Sequence, residues 1–193
     1  MSEQDEVRRI LADFEQRILE ILKRAWDEWS EMPKKGKISA RSRASLVFDF
    51  IKDHALSEFD GDSNIHPIIE GQTIKFIFHD QVLIRFKKAN FKGIGSNIET
   101  QAVLEFVDPQ LHIPDFLPEI YRVEICYFLN KTATQMETVA VTKRDRRRKI
   151  WSYPISGGEA SNVIDLTPPS QPNDPAPPEV RPRRPVEKPK ANE

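Results

Sequence analysis

Charged residues at positions 80–87 approach the pattern of a metal-dependent nuclease. Such an enzyme places an acid on one strand of a hairpin and an acid-x-Lys pair on the next, so that carboxylates bind a divalent metal. Asp80 followed by Arg85, Phe86 and Lys87 supplies this layout, but Arg85 stands where the second acid is needed and would repel the metal. A different carboxylate cluster would have to come from Asp62, Asp80, Glu99 and Glu105.

Other site chemistries have weaker support in the sequence. Cys126 is the single cysteine and lies in an apolar run, which favours a buried, inert thiol over a nucleophile. The segment that begins at Asp60 resembles the start of a calcium loop, but Ile65 occupies the position that needs glycine. The four histidines show no metal-ligand spacing. We therefore predict no catalytic residue, no metal site and no cofactor; the sequence leaves catalysis undecided and favours a non-catalytic protein.

The densest charge in the chain is a basic segment at residues 143–149. If it forms the turn between two strands, its cations project together beside Trp151 and Tyr153. Three interpretations stay open: a charged turn that guards a sheet edge, a docking site for an acidic protein, or a contact for nucleic acid. The six cations are Lys143, Arg144, Arg146, Arg147, Arg148 and Lys149.

Length and composition limit the class of protein. The chain has 193 residues, a net charge of -1 and 31% charged residues, which suits one domain with appendages. Three of its first six residues are acidic, and this segment lacks the apolar stretch of a secretory signal. No apolar run is long enough to span a membrane. These features predict a cytoplasmic protein without a membrane partner.

Proline usage divides the chain. Nine of the 15 prolines lie at residues 168–189, in a segment with almost no large apolar side chain. Such a segment cannot bury enough surface to offset the entropy of ordering it. We therefore predict an amphipathic helix at residues 1–32, an α+β domain at 38–157 and a disordered Pro-rich tail at 158–193.

Two helices precede the strands. Apolar residues at i, i+3 and i+4 spacing predict a long amphipathic helix over residues 4–31, with Trp26 and Trp29 on its apolar face. This face either packs on its own domain or binds a partner, through a homodimer or a second protein. Ser39 is suited to cap a second helix over residues 40–58.

Alternating apolar residues predict five strands after the helices. They cover residues 72–78, 81–87, 121–129, 138–142 and 149–155, and a short helix at 97–106 is inserted between the second and third. His79 and Asp80 would form the tight turn of the first hairpin. Helices followed by hairpins indicate an α+β fold, with the two helices packed on a mostly antiparallel sheet of about five strands.

Three segments together resemble an uncharacterised bacterial family. They are SRASLVFDF at residues 42–50, VLIRFKK at 82–88 and SNIETQ at 96–101. Members of that family are encoded beside ImmA/IrrE-type metallopeptidases in toxin–antitoxin or phage-defence operons. The resemblance covers about residues 38–153 and supplies no catalytic residues. It implies a protein partner that is encoded by a neighbouring gene.

These observations favour a non-catalytic, partner-binding component of a toxin–antitoxin or defence module. The predicted partner-binding residues are Trp26, Trp29, Arg144, Arg146, Arg147, Arg148 and Lys149. The alternative is a nucleic-acid-directed toxin, in the form of a degenerate metal-dependent nuclease.

Overall fold

The chain folds as an α+β protein, as the sequence predicts. A computed structural model describes residues 1–33, 37–89, 93, 95, 106 and 120–155. Within them, helices come first and a six-stranded sheet follows. The predicted tail at residues 158–193 and most of the predicted helix at 97–106 lie outside the described residues.

The N-terminal helical stretch follows the predicted bounds closely. It consists of α1 (Glu3–Leu11), one 3-10 turn (Ala12–Phe14) and α2 (Glu15–Glu31). A capping box starts it: the Ser2 hydroxyl accepts from the Asp5 amide, and the Asp5 carboxylate accepts from the Ser2 amide. All ten apolar positions of the predicted stripe are buried against the sheet or α3. This stretch therefore packs on its own domain.

The second predicted helix also has its expected bounds. Helix α3 spans Ala40–Glu58, and the Ser39 hydroxyl accepts a hydrogen bond from the Ser42 amide at 3.1 Å. Arg17 of α2 joins the end of α3 to the turn that follows. Its guanidinium donates to the Glu58 side chain at 3.2 Å and to Asp62 at 2.6 Å.

The sheet has one strand more than the sequence predicts. Its strands, in spatial as well as chain order, are β1 (Ile65–Glu70), β2 (Thr73–Phe78), β3 (Val82–Lys88), β4 (Tyr121–Leu129), β5 (Met136–Asp145) and β6 (Arg148–Pro154). The additional strand is β1, which contains Pro67. Proline is tolerated there because β1 is at the edge of the sheet. Every neighbouring pair is antiparallel except β3 and β4, which run parallel.

The two faces of the sheet differ in chemistry. The helices cover one face, which presents apolar side chains such as Phe76, Ile84 and Ile125. The opposite face, called here the second face, carries a small apolar cluster of Ile77, Leu83 and Phe106. Beside this cluster lie the charged side chains of Arg85 and Glu124. Among the described residues, no helix is long and apolar enough to cross a membrane.

Candidate functional site

The basic turn, defined as residues 146–149, projects from the end of the β5–β6 hairpin. The ladder extends to the pairing of Asp145 with Arg148, so only two residues connect the strands. Arg146 adopts a positive φ of 47°, which fits a tight turn. Arg146, Arg147 and Arg148 are exposed, whereas Lys149 is half-buried. The turn therefore presents three cations to solvent at one corner of the molecule.

Lys143 and Arg144 do not project with the turn, contrary to the sequence-based expectation that all six cations would. Both belong to β5, and successive side chains on a strand point to opposite faces. Lys143 reaches the helix-covered face and pairs with Glu3 at 2.9 Å. Arg144 reaches the second face and lies 3.1 Å from Glu124, with only 8% of its side chain exposed. Arg144 is thus placed inside the fold and not on a partner-facing surface.

The predicted partner-binding tryptophans lie in the core. Trp26 is 8% exposed and Trp29 5%, and both belong to the main apolar cluster. The i, i+3 spacing that suggested a binding stripe is the spacing of a helix packed on a sheet. A partner could reach these side chains only if the core opened.

The candidate carboxylates for a metal site do not form a cluster among the residues that the structure describes. Asp62 is hydrogen-bonded to Arg17 at 2.6 Å, and this bond lowers the pKa of the Asp62 carboxyl. Asp80 is exposed in the β2–β3 turn, 3.6 Å from His66. Glu99 and Glu105 lie outside the described residues. Within the described part of the chain, no group of three His, Cys, Asp or Glu side chains could hold a metal ion.

A buried charge cluster occupies the centre of the second face. It consists of Arg85, Lys87, Glu124 and Arg144. Arg85 donates from Nε to Glu124 Oε1 at 3.0 Å and also from Nη2, and its guanidinium lies 4.0 Å from the centre of the Phe106 ring. The other Glu124 oxygen accepts from the Gly95 amide at 3.3 Å. One carboxylate thus serves two guanidinium groups and one backbone amide.

Lys87 adds a third cation to the buried charge cluster. Its pKa falls from its ordinary value of 10.5 to about 8, because burial disfavours the ammonium and Arg85 repels it. Burial likewise lowers the pKa of Arg85, although Glu124 partly offsets the effect. The backbone at Gly95 passes so close that an added Cβ would lie 2.8 Å from the Lys87 Cβ. Among the residues that the structure describes, the cluster therefore holds more positive than negative charge in a confined space.

The buried charge cluster is not apparent from local sequence patterns. The nuclease-like pattern accounts for Arg85 and Lys87, and Glu124 lies in the same apolar run as Cys126. The signal in the sequence is a charged residue within each of two apolar strand segments, Arg85 in the first and Glu124 in the second. Their pairing depends on β3 and β4 being neighbours in register.

Cys126 is buried beside this cluster, as predicted for an inert thiol. Its side chain is fully buried on β4. Burial, reinforced by Glu124, raises the pKa of the thiol to about 12. The thiolate is therefore scarce at neutral pH, and the geometry does not favour a cysteine nucleophile.

Comparison of the chain with protein-family models, curated proteins and solved structures gave no match.

Proposed function

We propose that this chain is a non-catalytic, partner-binding component of a bacterial toxin–antitoxin or phage-defence module, and that it docks through the basic turn. The supporting observation is the joint exposure of Arg146, Arg147 and Arg148 at one corner of the sheet. Clustered exposed cations attract an acidic protein surface and speed its association. The type of module comes from the family resemblance of residues 38–153.

The surroundings of the turn favour a protein partner over nucleic acid. Ile150, the second residue beyond the turn's last arginine, is 48% exposed and could contact an apolar side chain of a partner. Single-stranded nucleic acid is usually held by exposed aromatic rings on which bases stack. Trp151 and Tyr153 stack on each other instead, with ring centres 6.3 Å apart, and Tyr153 is buried.

Co-purification with the product of the adjacent gene tests the proposal. The full chain and that product are expressed together, and association rates are measured at low and high salt. Replacing Arg146, Arg147 and Arg148 with serine should slow association and remove its salt dependence. The free energy of unfolding should change by less than about 1 kcal/mol, because exposed substitutions have small effects.

A matched control removes three exposed cations elsewhere: Arg9, Lys23 and Arg41, each replaced with serine. It should leave association nearly unchanged. If the wild type instead binds nucleic acid, with a salt slope that falls by up to about three in the turn variant, the alternative of a nucleic-acid-directed toxin is favoured. If neither partner class binds and the turn variant aggregates, the turn only guards the sheet edge.

A further inference from the structure

Among the described residues, the buried charge cluster has three cations and one carboxylate. Arg85, Lys87 and Arg144 face Glu124, whose side chain is 1% exposed. Like charges gathered in a low-dielectric site repel each other strongly unless an anion offsets them.

Two of the nitrogen donors of Arg144 have no hydrogen-bond partner in the part of the chain that the structure describes. Its Nη1 donates to the Arg146 carbonyl at 3.1 Å. Its Nε and Nη2 are buried without a hydrogen-bond partner, even though Nη2 lies 3.1 Å from Glu124 Oε1, because the contact is not aligned as a hydrogen bond. A buried donor without a partner is destabilising, and a native fold seldom leaves two on one side chain.

We propose that Arg144 and Lys87 bind a phosphate group on the second face of the sheet. The guanidinium fork of Arg144 matches two oxygens of a tetrahedral anion, and Lys87 supplies a compact positive charge. Glu124 holds Arg85 and lies 3.1 Å from Arg144 Nη2, so it helps to orient the Arg144 guanidinium. The burial of Arg144 suits a single terminal phosphate and not a polynucleotide backbone. This site is separate from the basic turn and does not rest on the proposed function.

Calorimetric titration of the full chain with inorganic phosphate, at constant ionic strength set by chloride, tests the site. A parallel titration with adenosine monophosphate distinguishes a free anion from a nucleotide. Binding of either ligand supports the site, and the tighter ligand identifies the source of the phosphate. Arg144→Gln and Lys87→Met should each weaken binding at least about tenfold, the usual effect of losing one charge-assisted contact.

Arg41→Gln, which removes an exposed cation from α3, is the matched control and should bind as the wild type does. If Arg144→Gln fails to fold, Lys87→Met carries the test, because Lys87 is only half-buried. The proposal is overturned if neither ligand binds at about 10 mM, which is about ten times the dissociation constant of a weak, 1 mM site. It is also overturned if binding persists unchanged in every folded variant of the two residues.

Discussion

Arg85 and Glu124 form an ion pair across two parallel strands, in register with each other and almost fully buried. Two donors of the guanidinium reach one carboxylate oxygen, and the Phe106 ring lies against the guanidinium. A buried pair of this kind fixes the alignment of its strands, because a shift in register would leave both charges unpaired. The pair therefore joins the β1–β3 and β4–β6 parts of the sheet.

Substitution of Glu124 should lower the free energy of unfolding more than substitution of Arg85. Glu124→Gln leaves three cations without a carboxylate and should lower the free energy of unfolding by about 3–5 kcal/mol. Arg85→Met should have a smaller effect, because Arg144 still approaches Glu124 at 3.1 Å. Urea unfolding of each variant measures both values. Glu6→Gln, which breaks an exposed pair with Arg9, is the control and should change stability by less than about 1 kcal/mol. The reverse order of the two buried variants would contradict this account.

Lys87 should make stability depend on pH in a defined window. Its pKa is about 8 in the folded protein and 10.5 as the ordinary value, so the unfolded chain binds more protons between these limits. The free energy of unfolding should therefore rise as pH increases from about 8 to 10.5. Below this window, the protonated lysine destabilises the fold.

Comparison with Lys87→Met isolates this effect. Deprotonation of Cys126 in the unfolded chain acts in the opposite direction at high pH, because its folded pKa is raised to about 12. That contribution is common to both proteins and cancels in their difference. The difference in unfolding free energy between the wild type and the Lys87→Met variant should therefore increase from pH 8 to pH 10.5, and urea unfolding measures it. A flat difference would show that Lys87 is solvated.

Trp26 should act as a core residue and not as a binding residue. Trp26→Ala should lower the free energy of unfolding by about 3–5 kcal/mol, because it leaves a cavity between α2 and its neighbours. Thermal or urea unfolding measures the loss, and size-exclusion chromatography should show no change in assembly. Ile150→Ala is the control for an exposed apolar residue and should stay within about 0.5 kcal/mol. Weaker association with unchanged stability would instead indicate a partner-binding helix.

Gly95 should be intolerant of any side chain. A Cβ there would lie 2.7 Å from Glu124 Oε2 and 2.8 Å from the Lys87 Cβ, so Gly95→Ala must displace the buried charge cluster. We expect a loss of about 1–3 kcal/mol in unfolding free energy, typical of overpacking. Gly71→Ala meets no atom within 4 Å and is strained only by its φ of +57°, so it should cost about 1 kcal/mol. If the Gly95→Ala variant is as stable as the wild type, the side chains of the buried charge cluster can move to accommodate the added methyl group at little energetic cost.

The local patterns of the sequence were sufficient for the helices and for the first predicted hairpin. Spacing of i, i+3 and i+4 identified the buried stripe of the N-terminal helical stretch, and Ser39 marked the start of α3. His79 and Asp80 both adopt positive φ in the turn that was predicted for them, although three residues, 79–81, connect the paired Phe78 and Val82. Each of these features depends on residues within a few positions of one another, so the sequence alone carries the information.

The strand β1 and the buried charge cluster depended on tertiary structure. Pro67 argued against a strand, and only the edge position of β1 makes it acceptable. Arg85 and Glu124 are 39 positions apart and meet because β3 and β4 lie side by side in parallel. The basic segment was visible as composition, but β5 extends into it and sends Lys143 and Arg144 to opposite faces. Charge can be counted from the sequence, whereas the burial and pairing that set its energy are decided by which strands become neighbours.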